Sequence, residues 1–227
     1  MEGGCHGETG TGNPTDAKFR LEEKVENRSH SRNSRSVRTT GRGLISVTFA
    51  LFLLTGCQQE ALPTYGEVVP FSLTDHNGKV FQSDSMKGKT WVVSFFFSRC
   101  KTICPPLLNH LSGVLKDAER VGIPLQVVSI TVDPEHDSPD KLATKHREIG
   151  AGENWRFLTG NTETIRTVVV DGFKTHMGEE EVLEDGLIEI GHGAKLMLID
   201  SKGKIRGLFG SDPVDRLPLI EAAKSLQ

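Results

Sequence analysis

Seven consecutive residues, Trp91-Val92-Val93-Ser94-Phe95-Phe96-Phe97, carry no charge and end three positions before a cysteine. A run of this length with no polar alternation suits a central strand covered on both faces. The stretch after it changes period. From Pro105 the apolar positions Leu107, Leu108, Leu111, Val114, Leu115 and Ala118 keep the spacing of one helical face, and Gly122 stops the helix. A buried strand running into an amphipathic helix that must pack back on it commits this part of the chain to an α/β fold.

The neighbouring segments extend the pattern. Phe71–Thr74 and Lys79–Phe81 flank Asp75-His76-Asn77-Gly78, whose Asn-Gly is a strong hairpin signal. Leu125–Val132 reads as a second buried strand. Asp137-Ser138-Pro139 reads as a cap with proline in the first turn of a helix reaching about Ile149, where Gly150 ends it. A short strand over Trp155–Thr159 and a short helix over Thr162–Val170 follow. Lys195–Asp200 and Lys204–Phe209 form a second hairpin about Ser201-Lys202-Gly203. The last helix spans about Val214–Leu226, with Pro218 kinking it or marking its start. Strand, helix, strand, helix, antiparallel hairpin and helix is the thioredoxin order, so the expected fold is a thioredoxin-like α/β domain. Its central mixed sheet is flanked by helices, and the 71–81 hairpin is an N-terminal extension.

Ahead of this domain lies a segment of another kind. Leu44–Leu54 (LISVTFALFLL) is preceded by Arg28, Arg32, Arg35, Arg38 and Arg42 with no acid among them, the charge and apolar order of an export signal. It is shorter than the roughly 20 apolar residues of a permanent span. Leu54-Thr55-Gly56-Cys57 resembles a bacterial lipobox, in which a lipid is attached to the cysteine; an ordinary signal with a chance cysteine is the alternative. Residues 1–36 are rich in Gly, Ser, Asn and charge and too poor in apolar periodicity to fold. The expected organisation is therefore a disordered leader and lipoprotein signal over 1–56, a lipid-anchored tether over 57–66 and one domain over 67–227. Such a chain is exported to the bacterial cell envelope and held at a membrane.

Removing residues 1–56 takes eight of the 27 basic and six of the 30 acidic residues, leaving 19 against 24 and a net charge of −5. That balance offers no clustered basic face for nucleic acid. Of four cysteines, Cys5 lies in the leader and Cys57 at the lipobox, so only Cys100 and Cys104 belong to the domain. A solitary close pair in an exported chain points to redox or metal chemistry rather than to a disulfide framework.

Two cysteines four apart at a helix start would have α-carbons about 6.2 Å apart if fully helical, inside the approximate 4.4–6.8 Å range of a disulfide. The helix N-terminus, with Arg99 and Lys101 nearby, favours thiolate, the form that reacts and binds metal. An inert structural disulfide is the other reading of the pair. His192, in Ile190-Gly191-His192-Gly193-Ala194 before the KLMLID strand, is the candidate third ligand. In a thioredoxin fold the loop entering that strand faces the cysteine helix. Two thiolates and one imidazole form a soft set suited to copper. A loop histidine capping a turn is the alternative.

Phe97-Ser98-Arg99-Cys100-Lys101-Thr102-Ile103-Cys104-Pro105, then Ser129–Pro139 (SITVDPEHDSP), then Trp155–Gly160 (WRFLTG), then His192 before Leu198-Ile199-Asp200, resemble the signatures of the Sco/SenC family in the same order. The likeness covers about residues 66–226. It implies a thioredoxin-like fold, copper bound through Cys100, Cys104 and His192, and help in assembling the dinuclear copper centre of cytochrome c oxidase. Asp133 matches the family's acidic residue after the second central strand, where it would support a ligand or orient a partner; an Asp before proline also starts turns. His110 and His136 read as helix-face or solvated residues. The chain departs from the family at Glu179–Glu181 and Glu184-Asp185, where relatives often carry aromatic residues.

Two functions follow from these residues. In one, a copper chaperone loads copper on Cys100, Cys104 and His192 and passes it to the copper-bearing oxidase subunit. In the other, a thiol–disulfide oxidoreductase uses a Cys100–Cys104 redox pair to reduce the cysteines of the oxidase copper site. Other copper carriers or thiol reductases are then further partners. Both functions need the dithiol; only the first needs His192. A peroxide-reducing thiol would need a Pro/Thr/Arg setting that does not surround Cys100.

Overall fold

A computed structural model of the chain describes residues 62–227; the leader, the export signal and Cys57 lie outside the described residues. In chain order the elements are β1 (Gly66–Glu67), β2 (Ser72–Asp75), β3 (Val80–Gln82), β4 (Trp91–Phe96), α1 (Cys104–Arg120), β5 (Gln126–Thr131), α2 (Pro139–Glu148), β6 (Trp155–Thr159), α3 (Thr162–Arg166), β7 (Met177–Val182), β8 (Ile188–His192), β9 (Leu196–Ile199), β10 (Lys204–Phe209) and α4 (Arg216–Lys224). Among the described residues, eight strands form one mixed sheet ordered β1-β10-β9-β4-β5-β6-β2-β3, while β7 and β8 pair only with each other.

The central position of β4 follows from its composition, because every one of its residues is buried. It runs parallel to β5, which runs parallel to β6, and antiparallel to β9. The parallel neighbours are joined through α1 and α2, the crossover that parallel strands require. One polar line crosses this core: Ser94 on β4 and Ser129 on β5 are paired in register, with their hydroxyls 2.8 Å apart. The Trp155 indole N–H on β6 donates to the Ser129 oxygen at 2.9 Å, so the buried hydroxyls are satisfied.

The N-terminal hairpin forms about Asn77-Gly78 as its sequence predicts, with Gly78 at φ 72°. It extends the sheet by pairing β2 with β6. The last residues of the expected tether are bonded to the sheet. Tyr65 N–H donates to the Ile205 carbonyl at 2.8 Å, and the Arg206 guanidinium donates to the Pro63 carbonyl at 3.0 Å and to the Leu62 carbonyl. Residues 62–67 thus lie along β10, and the two-residue β1 is the short strand at that edge of the sheet.

Pro218 sits inside the first turn of α4, where a missing N–H removes no intrahelical bond. The short helix over 162–170 divides into α3 and a wider π-turn over Thr167–Gly172. The largest departure is at 177–192, which sequence reading treats as an acidic stretch leading to a loop. It is a two-stranded hairpin about Asp185-Gly186, with Gly186 at φ 78°. Asp-Gly between Val182 and Ile188 is itself a hairpin signal, masked by the glutamates around it.

Candidate metal centre

The chain leaves β4 and turns sharply before α1, and Asp137 holds that turn. Its carboxylate is fully buried and accepts from the Ser98 N–H at 3.0 Å, from the Thr131 hydroxyl at 2.5 Å and from the Ser98 hydroxyl. Sequence reading assigned Asp137 only to the cap of α2, and that cap is in fact Ser138, whose oxygen accepts from Lys141 N–H at 3.4 Å. The role of Asp137 depends on β5 bringing it beneath a loop 39 residues earlier.

Cys100 and Cys104 are both free thiols and both buried, with 5% and 2% of their surface exposed. They do not share a helical turn. Pro105 and Pro106 lack the N–H groups that would bond back to residues 101 and 102, so the ladder of α1 begins with Leu107 N–H to the Ile103 carbonyl at 3.1 Å. Cys100 lies in the bend before the helix. The Cys104 N–H, one of the free donors of the helix start, points at the Cys100 sulfur at 3.4 Å, and the Thr102 hydroxyl lies 3.6 Å from that sulfur.

This geometry makes the two thiols unlike. Burial opposes ionisation of Cys100, but the hydrogen bonds from Cys104 and Thr102 outweigh it and hold its pKa below the ordinary thiol value. At Cys104 burial dominates, aided by its bond to Cys100 and by the nearby Asp137 charge, and its pKa rises far above the ordinary value. The pair borders a cavity of about 110 Å³, whose other lining includes Phe97, Ser98, Leu108 and Lys145.

His192 is the last residue of β8 rather than part of a loop, and it reaches the same end of the sheet against Phe97, with ring centroids 6.1 Å apart. It does not line the cysteine cavity. Its Nδ1 is 3.2 Å from the Gly193 carbonyl. A carbonyl only accepts, so Nδ1 carries the proton and Nε2 holds a free lone pair. That Nε2 is buried and has no hydrogen-bond partner among the described residues. Burial keeps the ring pKa below its ordinary value, against the smaller opposing pull of the Gly193 carbonyl, so the ring is neutral. An imidazole oriented through one nitrogen, with the other free and shielded from water, is the arrangement a metal ligand requires.

Asp133 makes the turn that its place before proline suggests. Its carbonyl accepts from the N–H groups of His136 at 3.2 Å and Asp137 at 2.9 Å, making the turn after β5. Its carboxylate, only 5% exposed, pairs with Arg99 at 2.8 Å and with the His136 ring at 2.9 Å. Arg99 also pairs with Glu180 on β7 at 2.5 Å, a link invisible in the sequence because 81 residues separate the partners. His110 is buried on the helix face rather than solvated, with neither ring nitrogen hydrogen-bonded among the described residues. It lies on the side of α1 near Arg216 and Asp215, at the start of α4.

A parallel β-α-β core with a dithiol at the start of its first helix and a histidine at the same end of the sheet defines a thioredoxin-like dithiol protein. The SCO1/SenC family profile matches residues 59–226, and the chain belongs to that family. Its fold is similar to that of a SCO1/SenC family lipoprotein from Bacillus anthracis, at 30% identity and TM-score 0.64 over 71% of this chain and 95% of that one. The copper-bound ScoI of Bradyrhizobium japonicum aligns at 25% identity and TM-score 0.62, covering 71% and 99%. BsSco, a member of the Sco family of cytochrome c oxidase assembly proteins in which a disulfide switch is described, aligns at 27% identity and TM-score 0.62, covering 74% and 100%.

Proposed function

We propose that this chain is a copper chaperone that takes a copper ion at Cys100, Cys104 and His192 and delivers it to, or helps assemble, the dinuclear copper centre of cytochrome c oxidase. The observation that carries the reading is the His192 ring, with Nδ1 bonded to the Gly193 carbonyl and Nε2 buried without a partner. A buried lone pair costs free energy when left unpaired, and a metal ion removes that cost. The soft sulfurs select copper over hard cations. Copper bound to a related ScoI and the oxidase-assembly role of the family of BsSco support the same reading.

Attachment of lipid to Cys57 would hold the domain at the surface of an envelope membrane, where an oxidase subunit would be its partner. The lipobox pattern supports this, as does the lipoprotein relative. Radiolabelled fatty acid should enter the wild-type protein in cells and be absent from Cys57→Ala; equal labelling would remove the anchor from the scheme.

Copper titration of the purified reduced protein tests the main reading. One tightly held equivalent is expected, lost in Cys100→Ala and Cys104→Ala and strongly weakened in His192→Ala. Unchanged affinity in His192→Ala would overturn the three-ligand site.

The unlike thiols favour a second reading, a thiol–disulfide oxidoreductase. The Cys100 thiolate attacks a client disulfide, forming a mixed disulfide and releasing one client thiolate, which takes a proton. Cys104 then gives up its proton and displaces the second client thiol, leaving a Cys100–Cys104 disulfide and a client reduced by two electrons. No copper binding by the wild type, beside a readily reduced disulfide, would favour this reading over the first.

A further inference from the structure

The hairpin that carries His192 is held to the rest of the described chain in a way that points to a device. β7 and β8 form a separate two-stranded sheet with no ladder to the eight-stranded one. At its entry, Phe173 is buried against Phe95 and Phe71, with ring centroids 5.5 and 5.9 Å away, and anchors the chain in the core. The next residue, Lys174, has φ 53°, the only non-glycine residue in the left-handed region among the described residues. At the exit, Gly193 packs on Thr175 so closely that a Cβ there would lie 2.8 Å from the threonine methyl. Between these two points the hairpin is a flap whose strands bury only Met177 and Ile190.

Two arginines reach the flap from outside. Arg166 on α3 pairs with Glu179 at 2.7 Å. Arg99, the residue immediately before Cys100, pairs with Glu180 at 2.5 Å while its Nε is fixed by Asp133 at 2.8 Å. Glu180 lies opposite Ile190 in the ladder, two residues before His192. Asp133, His136 and Glu180 present ligand atoms within 4.8 Å of one another, but the Arg99 guanidinium already bonds both carboxylates. The cluster is therefore built around a cation of the chain itself.

We propose that Arg99 and Glu180 are positioning residues: their ion pair clasps the hairpin to the cysteine loop and so sets how fully His192 takes part in copper binding. The inference rests on the three-ligand reading above. One end of the clasp adjoins a sulfur ligand and the other lies on the strand pair that ends in the nitrogen ligand, so breaking it loosens the histidine's strand, which the buried Met177 and Ile190 still seat, while leaving the dithiol intact. Release of the third ligand is what handing copper to a client requires. The pair is partly exposed, with 26% and 39% of the two side chains accessible, and is therefore weakened by salt.

The experiment is a double-mutant cycle in the full chain, measuring copper affinity by competition for wild type, Glu180→Gln, His192→Ala and the double variant. Glu180→Gln is expected to weaken copper binding about two- to fivefold with His192 present, the range of an exposed ion pair, and to have no effect in the His192→Ala background. An equal loss in both backgrounds would show a mere through-space charge effect and overturn the clasp, as would no loss at all. If His192→Ala alone leaves copper affinity unchanged, the three-ligand reading falls and the clasp's role in copper binding falls with it. A metal-free readout separates the clasp from the ligand: amide exchange at 177–192 should speed up in Glu180→Gln while that of β4 and α1 stays as in wild type. Unchanged exchange in the hairpin would overturn the clasp whatever the copper result.

Discussion

Cys104 gives its backbone N–H to the sulfur of Cys100, and that contact helps to separate two buried residues of the same type into a readily ionised thiol and one that resists ionisation. The consequence is measurable in the reduced, metal-free protein. Iodoacetamide should modify Cys100 at a lower pH than Cys104, because the first pKa is held below and the second well above the ordinary thiol value. Removing the Thr102 hydroxyl in Thr102→Val should move the Cys100 profile upward. Identical pH profiles for the two thiols by mass spectrometry would refute the asymmetry. Asp137 belongs to the same scale. It satisfies three donors at the turn between β4 and α1, so Asp137→Ala strands buried polar groups and should cost about 2–4 kcal/mol in denaturant unfolding. A loss below about 0.5 kcal/mol would mean that water replaces the carboxylate there.

Among the elements, α1 carries both sides of the design. Its first residue is Cys104, and its inner face buries Leu107, Leu108, Leu111, Val114 and Ala118 against the sheet and α4. Leu111 is wholly inaccessible, so Leu111→Ala should cost about 2–5 kcal/mol through lost burial and the cavity left behind. The denaturation midpoint should fall while the slope is unchanged; a change of slope would show that the helix had partly detached. The β7–β8 hairpin has a different basis. Glu181 and Glu189 stand directly opposite each other in its ladder, a like-charge pair that weakens a strand pair. Its stability comes from Ile190 and Met177, which are buried, and from Arg99 and Arg166. That is why a period-based reading of 177–192 fails: the decisive partners are far away in sequence.

For the molecule as a whole, three histidines tie stability to pH. His76, His110 and His192 all have pKa values lowered chiefly by burial; His76 also stacks on His146 with ring centroids 4.2 Å apart. Each is neutral when folded and free to protonate when unfolded, so the unfolded chain binds more protons below the ordinary histidine value. Their contribution is complete above pH 6.5 and is lost as pH falls below it toward the folded values. The midpoint of unfolding should therefore drop between about pH 6.5 and 5, and His110→Leu should flatten part of that drop. A profile flat across this range would contradict the burial of these rings.

Apart from β1 and the β7–β8 hairpin, the chain order of strands and helices was legible from local pattern alone, because apolar periodicity and Pro, Gly and Asn-Gly punctuation act over a few residues. So were the dithiol, as the only cysteine pair of the domain, and His192, through its place before β9. The tertiary structure decided what depends on residues far apart in sequence. Asp137 comes to lie under the cysteine turn, Arg99 meets Glu180 across 81 positions, and the acidic stretch folds into the hairpin that ends in His192. Packing then does what spacing cannot: hydrogen bonds at Cys100 and burial at Cys104 separate the two thiols in acidity, and burial leaves the Nε2 of His192 without a partner among the described residues, because these effects come from the atoms packed around a side chain.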